Sequence, residues 1–148
     1  MRKQRPGLNG KWTIVAASSF ELGEGEPIPA IAGDPDTFWH SRWSGEPAQP
    51  PHHLVIDFGK PLNVAAILYT ARKEMTNGHV RDYEIYLSDN PQEWGSPAAK
   101  GRFRRNAEEE TIRLSQPVKA RYLKFVALSE QSGQPFATIA ELDVEEAK

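Results

Sequence analysis

Short runs of β-prone residues, separated by turns rich in proline and glycine, constrain the fold of this chain more than any other feature. The clearest run covers residues 80–88, where Tyr83, Ile85 and Leu87 share the face that we expect to be buried. A sustained 3.6-residue period, which helices would need, is absent from the sequence. Strands are predicted at residues 12–17, 53–58, 64–69, 80–88, 101–103, 111–114, 120–128 and 139–144. The pattern predicts an all-β protein, an antiparallel jelly-roll β-sandwich of roughly eight strands.

Length and composition fit one ordinary domain. The chain has 148 residues, of which 39% are hydrophobic and 26% charged, with a formal net charge of −2. This balance argues against a nucleic-acid groove and makes a polybasic membrane surface improbable. Cysteine is absent, so disulfides are excluded, although a secreted origin stays open. No apolar run approaches the ~20 residues of a membrane helix, and no signal peptide is recognisable.

The domain is predicted to cover residues 11–146. Residues 1–10 contain several basic residues together with Pro6, Gly7 and Gly10, which is typical of a linker or tail. The sequence leaves open whether the chain is a segment of a longer protein.

The stretch from Ala30 to Ser44 carries the most chemistry. Its first half, around Gly33-Asp34-Pro35-Asp36, is predicted to be a structured loop. We expect Phe38 and Trp39 to fill the core. His40 lies three residues from Trp43, and a hydrogen-bonding group beside a flat apolar face suits a sugar ring. The other histidines are predicted to have ordinary roles: His52 and His53 at the start of a strand, and His79 facing solvent.

Two further loops hold candidate residues. Arg72 and Asn77 lie five residues apart in one loop, and together an Arg fork and an Asn amide can bind neighbouring hydroxyls. Taken from composition alone, this loop reads more simply as a routine polar surface. Phe136 is an apolar ring in a polar loop, where it either caps the core or forms an exposed stacking surface.

Catalytic signatures are missing from the sequence. It has no cysteine nucleophile, no Gly-x-Ser-x-Gly elbow, no His-Glu-x-x-His zinc motif and no phosphate-binding glycine loop. The many acids form no convincing general acid and base pair. The sequence therefore favours a binding function.

The motifs, taken in order, resemble those of discoidin domains, also called factor V/VIII type C domains, and most closely the family 32 carbohydrate-binding modules. The resemblance rests first on the run Ala30-Ile31-x-Gly33-Asp34-Pro35-x-Thr37-Phe38-Trp39-His40-Ser41-x-Trp43-Ser44. It continues through Pro51–Gly59, Asp82–Ser88, Trp94–Pro97, Ala120–Leu123, Gly133–Ala137 and Ala140–Leu142. The family implies a galactose-binding-like sandwich without catalytic activity, attached to a secreted glycoside hydrolase.

The resemblance also implies a sugar site at the loops of one end. His40 matches the histidine that receives an axial hydroxyl, typically O4 of galactose. Trp43 and Phe136 match the positions whose rings embrace the apolar face of the sugar.

The polar residues of this implied site come from two other loops. Arg72 and Asn77 match the pair that binds the neighbouring hydroxyls, which reverses the simpler reading of their loop. A loop acid contributes in some members; Glu24 is the best match, with Glu21 and Glu26 as alternatives.

A structural calcium ion is implied for many members, and here the pattern is incomplete. Asp34, Thr37 and Glu141 match surviving ligand positions, whereas Ala32 stands where the family usually has Asp. Calcium takes six to eight oxygen ligands, so losing a charged one should weaken the site. Asp36 is a candidate substitute, and calcium binding is left open.

The main hypothesis is therefore a non-catalytic module that recognises terminal galactose-type sugars, including N-acetylgalactosamine. We expect a monomeric module within a larger enzyme that is secreted, periplasmic or on the cell surface. The alternative is a discoidin domain that binds phospholipid or a protein partner, although the acids between Glu21 and Glu26 disfavour a lipid surface. An enzyme using His40 as a base is a third, weaker hypothesis.

Overall fold

The structure, a computed structural model, describes residues 12–34, 36–73, 78–105 and 109–148. The described residues form eight antiparallel strands and one short 3₁₀ helix at Ile28–Ile31. The strands are β1 (Thr13–Ala17), β2 (Trp39–His40), β3 (His52–Thr70), β4 (Asp82–Ser88), β5 (Ala99–Arg102), β6 (Glu109–Ala127), β7 (Thr138–Ile139) and β8 (Glu141–Glu146). The predicted all-β sandwich is confirmed. The proposed linker at residues 1–10 lies outside the described residues.

Two strands of 19 residues, β3 and β6, shape the sandwich. The first half of β3 pairs with β1 and with the end of β6, which in turn pairs with β4. The second half of β3 pairs with β8 and with the start of β6. Both strands thus contribute to both layers, and the halves of β3 enclose one shared hydrophobic core.

The sequence predicts breaks where these long strands only bend. Gly59 and Pro61 were expected to end a strand, but the register shifts between Asp57 and Leu62 and the pairing then resumes. Gly59 adopts a φ of 82°, a left-handed conformation that glycine tolerates and that suits a bulge. Pro117 likewise lies within β6, at a second irregularity of the pairing. Bulges admit proline and glycine into strands, so residues predicted to form four strands form two.

The second, two-stranded sheet was missed from the sequence. It joins β2 to β7, with Trp39 opposite Ile139 and His40 opposite Thr138. Both strands have two residues, too few to show any alternation. Trp39 is fully buried, as predicted, and its Nε1 donates to the carbonyl of Ser19 at 2.9 Å. The β2–β7 sheet therefore anchors the loops at this end of the sandwich, because Trp39 and Ile139 are buried in the core.

A buried hydroxyl closes the loop that follows β3. Tyr69 is 2% exposed, its ring stacks on Phe103 with centroids 4.3 Å apart, and its oxygen accepts the N–H of Val80 at 3.2 Å. Val80 is also buried, so no water can replace that acceptor. The bond therefore joins the two ends of the loop between β3 and β4.

Tyr69→Phe should destabilise the domain while keeping the aromatic stack. The N–H of Val80 would lose its acceptor inside the core, which costs about 1–3 kcal/mol. The free energy of unfolding, measured by denaturant titration, reports this loss.

Tyr86→Phe is the matched control. It removes a hydroxyl that donates to Glu84 at 2.9 Å near the surface, where water can compensate. We expect a change below about 0.5 kcal/mol. Equal losses in the two variants would contradict the role given to the Tyr69 hydroxyl.

Candidate functional site

The loops at the β2–β7 end surround an open pocket of about 500 Å³. It is lined by Glu24, Phe38, His40, Trp43, Arg72 and Phe136. Five of the six residues predicted for sugar binding therefore come together in one place. The sixth, Asn77, lies outside the described residues, and the sugar-binding roles of all six stay predictions.

His40 is held at the back of the pocket by backbone contacts on both sides. As a residue of β2 it lies opposite Thr138, its N–H donates to Gly25 at 3.1 Å, and its carbonyl accepts the N–H of Glu21 at 3.0 Å. Gly25 packs so closely that an added Cβ would lie 2.6 Å from the Cβ of His40. A side chain at position 25 would displace the histidine.

The hydrogen bonds of the His40 ring define its chemistry. Nδ1 donates to the carbonyl of Ser41 at 2.6 Å, so this nitrogen carries the proton. Burial lowers the pKa of His40, the bond to Ser41 opposes this in part, and the nearby charge of Arg72 lowers it further. The ring is therefore neutral at pH 7, and Nε2 keeps a lone pair that can accept a hydroxyl proton.

Arg72 lies over the ring of Phe38, with its Cζ 4.1 Å from the ring centroid. This cation–π contact orients the guanidinium within the pocket. The expectation that Phe38 fills the core is wrong: the side chain is only half-buried and lines the pocket. The Phe38 ring keeps one face accessible because the Arg72 guanidinium stacks on it. The sequence around Phe38 does not reveal this distant partner.

His79 is buried, contrary to the prediction that it faces solvent. Its ring Nε2 donates to the carbonyl of Arg72 at 2.7 Å. The Asn77-Gly78 turn signal indicates a surface loop but not the direction of the next side chain. His79 thus supports the loop that presents the guanidinium.

Besides Phe38, two further aromatic rings, those of Trp43 and Phe136, line the pocket. The Phe136 ring centroid lies 5.6 Å from that of His40, and the two rings are tilted by 57°. Trp43 is 42% exposed, which is unusual for so large an apolar side chain. Two positions were left open for Phe136, as a cap on the core or as an exposed stacking surface. The ring is half-buried and lies at the surface of the pocket.

The acids of the neighbouring loop have separate positions. Glu24 lines the pocket, as its match to the family predicted. Glu21 instead accepts the N–H groups of Trp43 at 2.9 Å and Ser44 at 3.0 Å, and these bonds lower its pKa. Glu26 accepts the N–H of Gly23 at 2.9 Å. Glu21 therefore holds the Trp43 loop in place, and Glu24 is the acid available to a ligand.

The predicted calcium ligands make a partial donor set. Glu141 is fully buried at the start of β8, where a carboxylate needs polar partners. The Thr37 hydroxyl donates to the carbonyl of Asp34 at 3.0 Å, and the Asp34 carboxylate accepts the N–H of Asp36 at 2.9 Å. Ala32 adds no side-chain oxygen, and the described ranges hold no group of three or more His, Cys, Asp or Glu poised around one point.

A β-sandwich with an open pocket of rings and hydrogen-bonding groups at one end defines a binding module. The chain belongs to the F5/8 type C domain family, whose model matches residues 14–142. This confirms the resemblance found in the sequence.

Curated relatives are much longer proteins. A sialidase from Micromonospora viridifaciens is 41% identical over 124 residues, which are 82% of this chain and 19% of the relative. A galactose oxidase from Gibberella zeae is 36% identical over 138 residues, which are 90% of this chain and 20% of the relative. The chain thus spans about a fifth of the length of these relatives.

Solved structures extend the comparison to ligands. A family 32 carbohydrate-binding module from C. perfringens NanJ, in complex with galactose, has a TM-score of 0.81 at 32% identity, covering 94% of this chain and 95% of that one. A second module from Clostridium perfringens, in complex with GalNAc-β-1,3-galactose, has a TM-score of 0.84 at 26% identity, covering 94% and 96%.

The charge of Arg72 should be visible in the titration of His40. We expect nitrogen NMR to show the Nδ1–H tautomer at pH 7 and a pKa below the ordinary value of about 6.5. Arg72→Gln removes a neighbouring positive charge, so the pKa of His40 should rise.

Arg42→Gln is the control for this titration. Arg42 lies two residues after His40, but its Nε donates to the carbonyl of Glu46 at 3.3 Å. Its charge is not among those that shift the pKa of His40. We expect no change in this variant. An unchanged pKa of His40 in Arg72→Gln would contradict the placement of the Arg72 guanidinium near the His40 ring.

Proposed function

We propose that this chain is a non-catalytic carbohydrate-binding module that recognises terminal galactose-type sugars, namely galactose and N-acetylgalactosamine. The observation that carries the proposal is the His40 ring, whose Nδ1 is bound to a carbonyl so that Nε2 can accept, in one pocket with the Arg72 guanidinium and several aromatic rings. Its similarity to modules in complex with galactose and with GalNAc-β-1,3-galactose supports the choice of sugar.

Each pocket residue supplies one part of the recognition. The Nε2 lone pair of His40 accepts the proton of an axial hydroxyl, and the guanidinium of Arg72 donates to the oxygen beside it. Asn77, from the same loop of the sequence, would complete the binding of neighbouring hydroxyls. Trp43 and Phe136 contact the apolar face of the sugar, and Glu24 accepts from a hydroxyl at the rim.

The pocket chemistry suits binding rather than hydrolysis. Most glycoside hydrolases use a pair of carboxyl groups on either side of the scissile bond. Among the described residues that line the pocket, Glu24 is the one carboxylate. The same lining residues include no Ser, Thr or Cys that His40 could activate, so we assign its lone pair the role of an acceptor.

Affinity for a single sugar should be modest. A pocket with two rings and a few hydrogen-bonding groups gives a Kd in roughly the millimolar to high micromolar range. We propose that the module is the accessory domain of a secreted or surface glycoside hydrolase, where further contacts raise the effective affinity. Within the described residues, no helix is long and apolar enough to cross a membrane.

A phospholipid surface is a weaker fit for these loops. Leu22 is 80% exposed and could enter a bilayer, but Glu24 and Glu26 lie close by in the sequence. Anionic lipid would repel these acids. Binding to anionic vesicles but to no glycan would favour this alternative.

Titration with galactose tests the proposal directly. His40→Ala removes the acceptor for the axial hydroxyl, so we expect the affinity to fall by at least tenfold in calorimetry or NMR titration. Glucose, whose 4-hydroxyl is equatorial, should bind weakly to both proteins.

The matched control is His53→Ala. His53 is a half-buried histidine that lies in β3 and does not line the pocket, so galactose binding should be retained. Equal binding of galactose by wild type and His40→Ala would refute the assignment.

We further propose that calcium binds this chain weakly, near Asp34, Thr37 and Glu141. The buried Glu141 supports a site, whereas the methyl group of Ala32 leaves it one charged ligand short. Such an ion would stabilise the fold and would take no part in sugar chemistry.

Ala32→Asp should strengthen calcium binding. When the free calcium concentration is a hundred times the Kd, binding adds about 2.7 kcal/mol to the free energy of unfolding. We expect a Tm gain of several degrees over the chelator-treated protein, against a gain near zero to about 2 °C for wild type. Ala32→Asn, which supplies a neutral oxygen, should lie between them, and equal gains in all three proteins would contradict the site.

A further inference from the structure

Glu130 is a buried acid that none of the roles described so far uses. It is 2% exposed, and it follows β6 at the start of the loop that carries Phe136. Its backbone forms an isolated β-bridge with Val80, where the Arg72 loop returns to the sheet. A buried carboxylate is costly unless its oxygens are satisfied, so its partners indicate its role.

The carboxylate binds two different loops. Oε1 accepts the N–H groups of Ser132 at 2.6 Å and of Gln134 at 2.9 Å, which belong to the Phe136 loop, residues 131–137. Oε2 accepts the N–H of Gly78 at 3.0 Å, the last residue of the Arg72 loop, residues 71–78. One side chain therefore holds both loops at once.

We propose that Glu130 is a positioning residue for the sugar pocket: it fixes the Phe136 loop relative to the Arg72 loop. The inference rests on the proposed function, because the two loops carry the stacking ring and the guanidinium. An ionised carboxylate suits this role since both of its oxygens only accept, and bonds from N–H to a charged acceptor are strong.

Gly78 shows why the position of this bond matters. While its N–H is bound by Glu130, its carbonyl accepts the N–H of Thr138 at 2.8 Å. An added Cβ at Gly78 would lie 2.6 Å from the Cγ2 of Thr138, and its φ is 82°. Thr138 in turn pairs with His40. The Glu130 contacts thus link the Arg72 loop, the Phe136 loop and, through Gly78 and Thr138, the backbone of His40.

Two histidines support the same loops from other sides. His52 Nε2 donates to the carbonyl of Pro135, next to Phe136, and His79 Nε2 donates to the carbonyl of Arg72. These bonds hold each loop separately. Glu130 is distinct because it joins the two.

Glu130→Gln tests the proposal with little change of shape. The amide keeps one accepting oxygen and places an NH₂ against at least one backbone N–H. Both loops lose the charged acceptor, so they can no longer keep their present separation. We expect the Kd for galactose to rise about tenfold. Glu110→Gln is the control: Glu110 accepts the N–H of Arg104 at 2.8 Å and its guanidinium at 3.2 Å, and it does not line the pocket. That variant should bind galactose like wild type.

A double-mutant cycle separates positioning from general destabilisation. Phe136→Ala removes the ring that Glu130 positions, so its effect on galactose binding should be much smaller in the Glu130→Gln background than in wild type. Trp43→Ala should add to Glu130→Gln, because Glu21 holds the Trp43 loop independently. Additivity in both cycles would show that Glu130 acts only through stability.

NMR without sugar distinguishes a failure of this proposal from a failure of the proposed function. In Glu130→Gln the amide signals of both loops should shift, those of Ser132 and Gln134 together with that of Gly78, and Glu110→Gln should leave them in place. Shifts confined to one loop, or shifts with wild-type galactose affinity, would overturn the proposal. Wild type that binds no galactose would refute the sugar assignment, while the amide signals would still decide the link between loops.

Glu130→Asp is a second variant in case the amide prevents folding. It keeps the charge but is one methylene shorter, so it cannot reach both loops in their present positions. It should show the same loss of affinity and the same paired amide shifts, and a wild-type result in this variant would also overturn the proposal.

Discussion

The two-residue ladder between β2 and β7 is the interaction on which the pocket depends. Trp39 and His40 are consecutive, so their side chains point to opposite sides of the strand. Trp39 is fully buried in the core, and His40 reaches the pocket. Any shift in the register of this ladder would move both at once, exchanging a core residue for a pocket-lining one. The position of His40 is therefore fixed by the burial of its neighbour.

The remaining pocket groups lie on loops, and buried polar side chains hold those loops in place. Glu21 accepts two N–H groups at the Trp43 turn, and Ser41 accepts the N–H of Ala137 through its hydroxyl at 2.9 Å. His52 and His79 donate to carbonyls beside Phe136 and Arg72. Each of these bonds satisfies a backbone group that water would otherwise have to reach. These bonds fix the backbone beside Trp43, Phe136 and Arg72, and groups that are positioned before binding lower its entropic cost.

Much of the fold could be predicted from the sequence, because alternation and turn residues mark the strands and their core faces. Along residues 80–88 the predicted face packs against the core, although of Tyr83, Ile85 and Leu87 only Ile85 is fully buried. The continuity of β3 and β6 could not: proline and glycine signal a break, and whether pairing resumes depends on the neighbouring strand. For β2 and β7 the strands are too short for a period to show. Local pattern therefore identifies the core faces well and the strand connections less well.

The same distinction between local pattern and distant contacts applies to the candidate site. His40, Trp43 and Glu24 could be placed through their match to a family motif, since a motif preserves the residues that touch ligand. Phe38 and Glu130 escaped because their partners are distant in the sequence: Arg72 lies 34 positions after Phe38, and Glu130 lies 52 positions after Gly78. His79 escaped for another reason, because a turn signal does not show which way the next side chain points. Side chains that contact other loops leave no local signal. Under the proposed function, recognition depends on such contacts, because a ring and a guanidinium can bind the same sugar only when their loops keep a fixed separation.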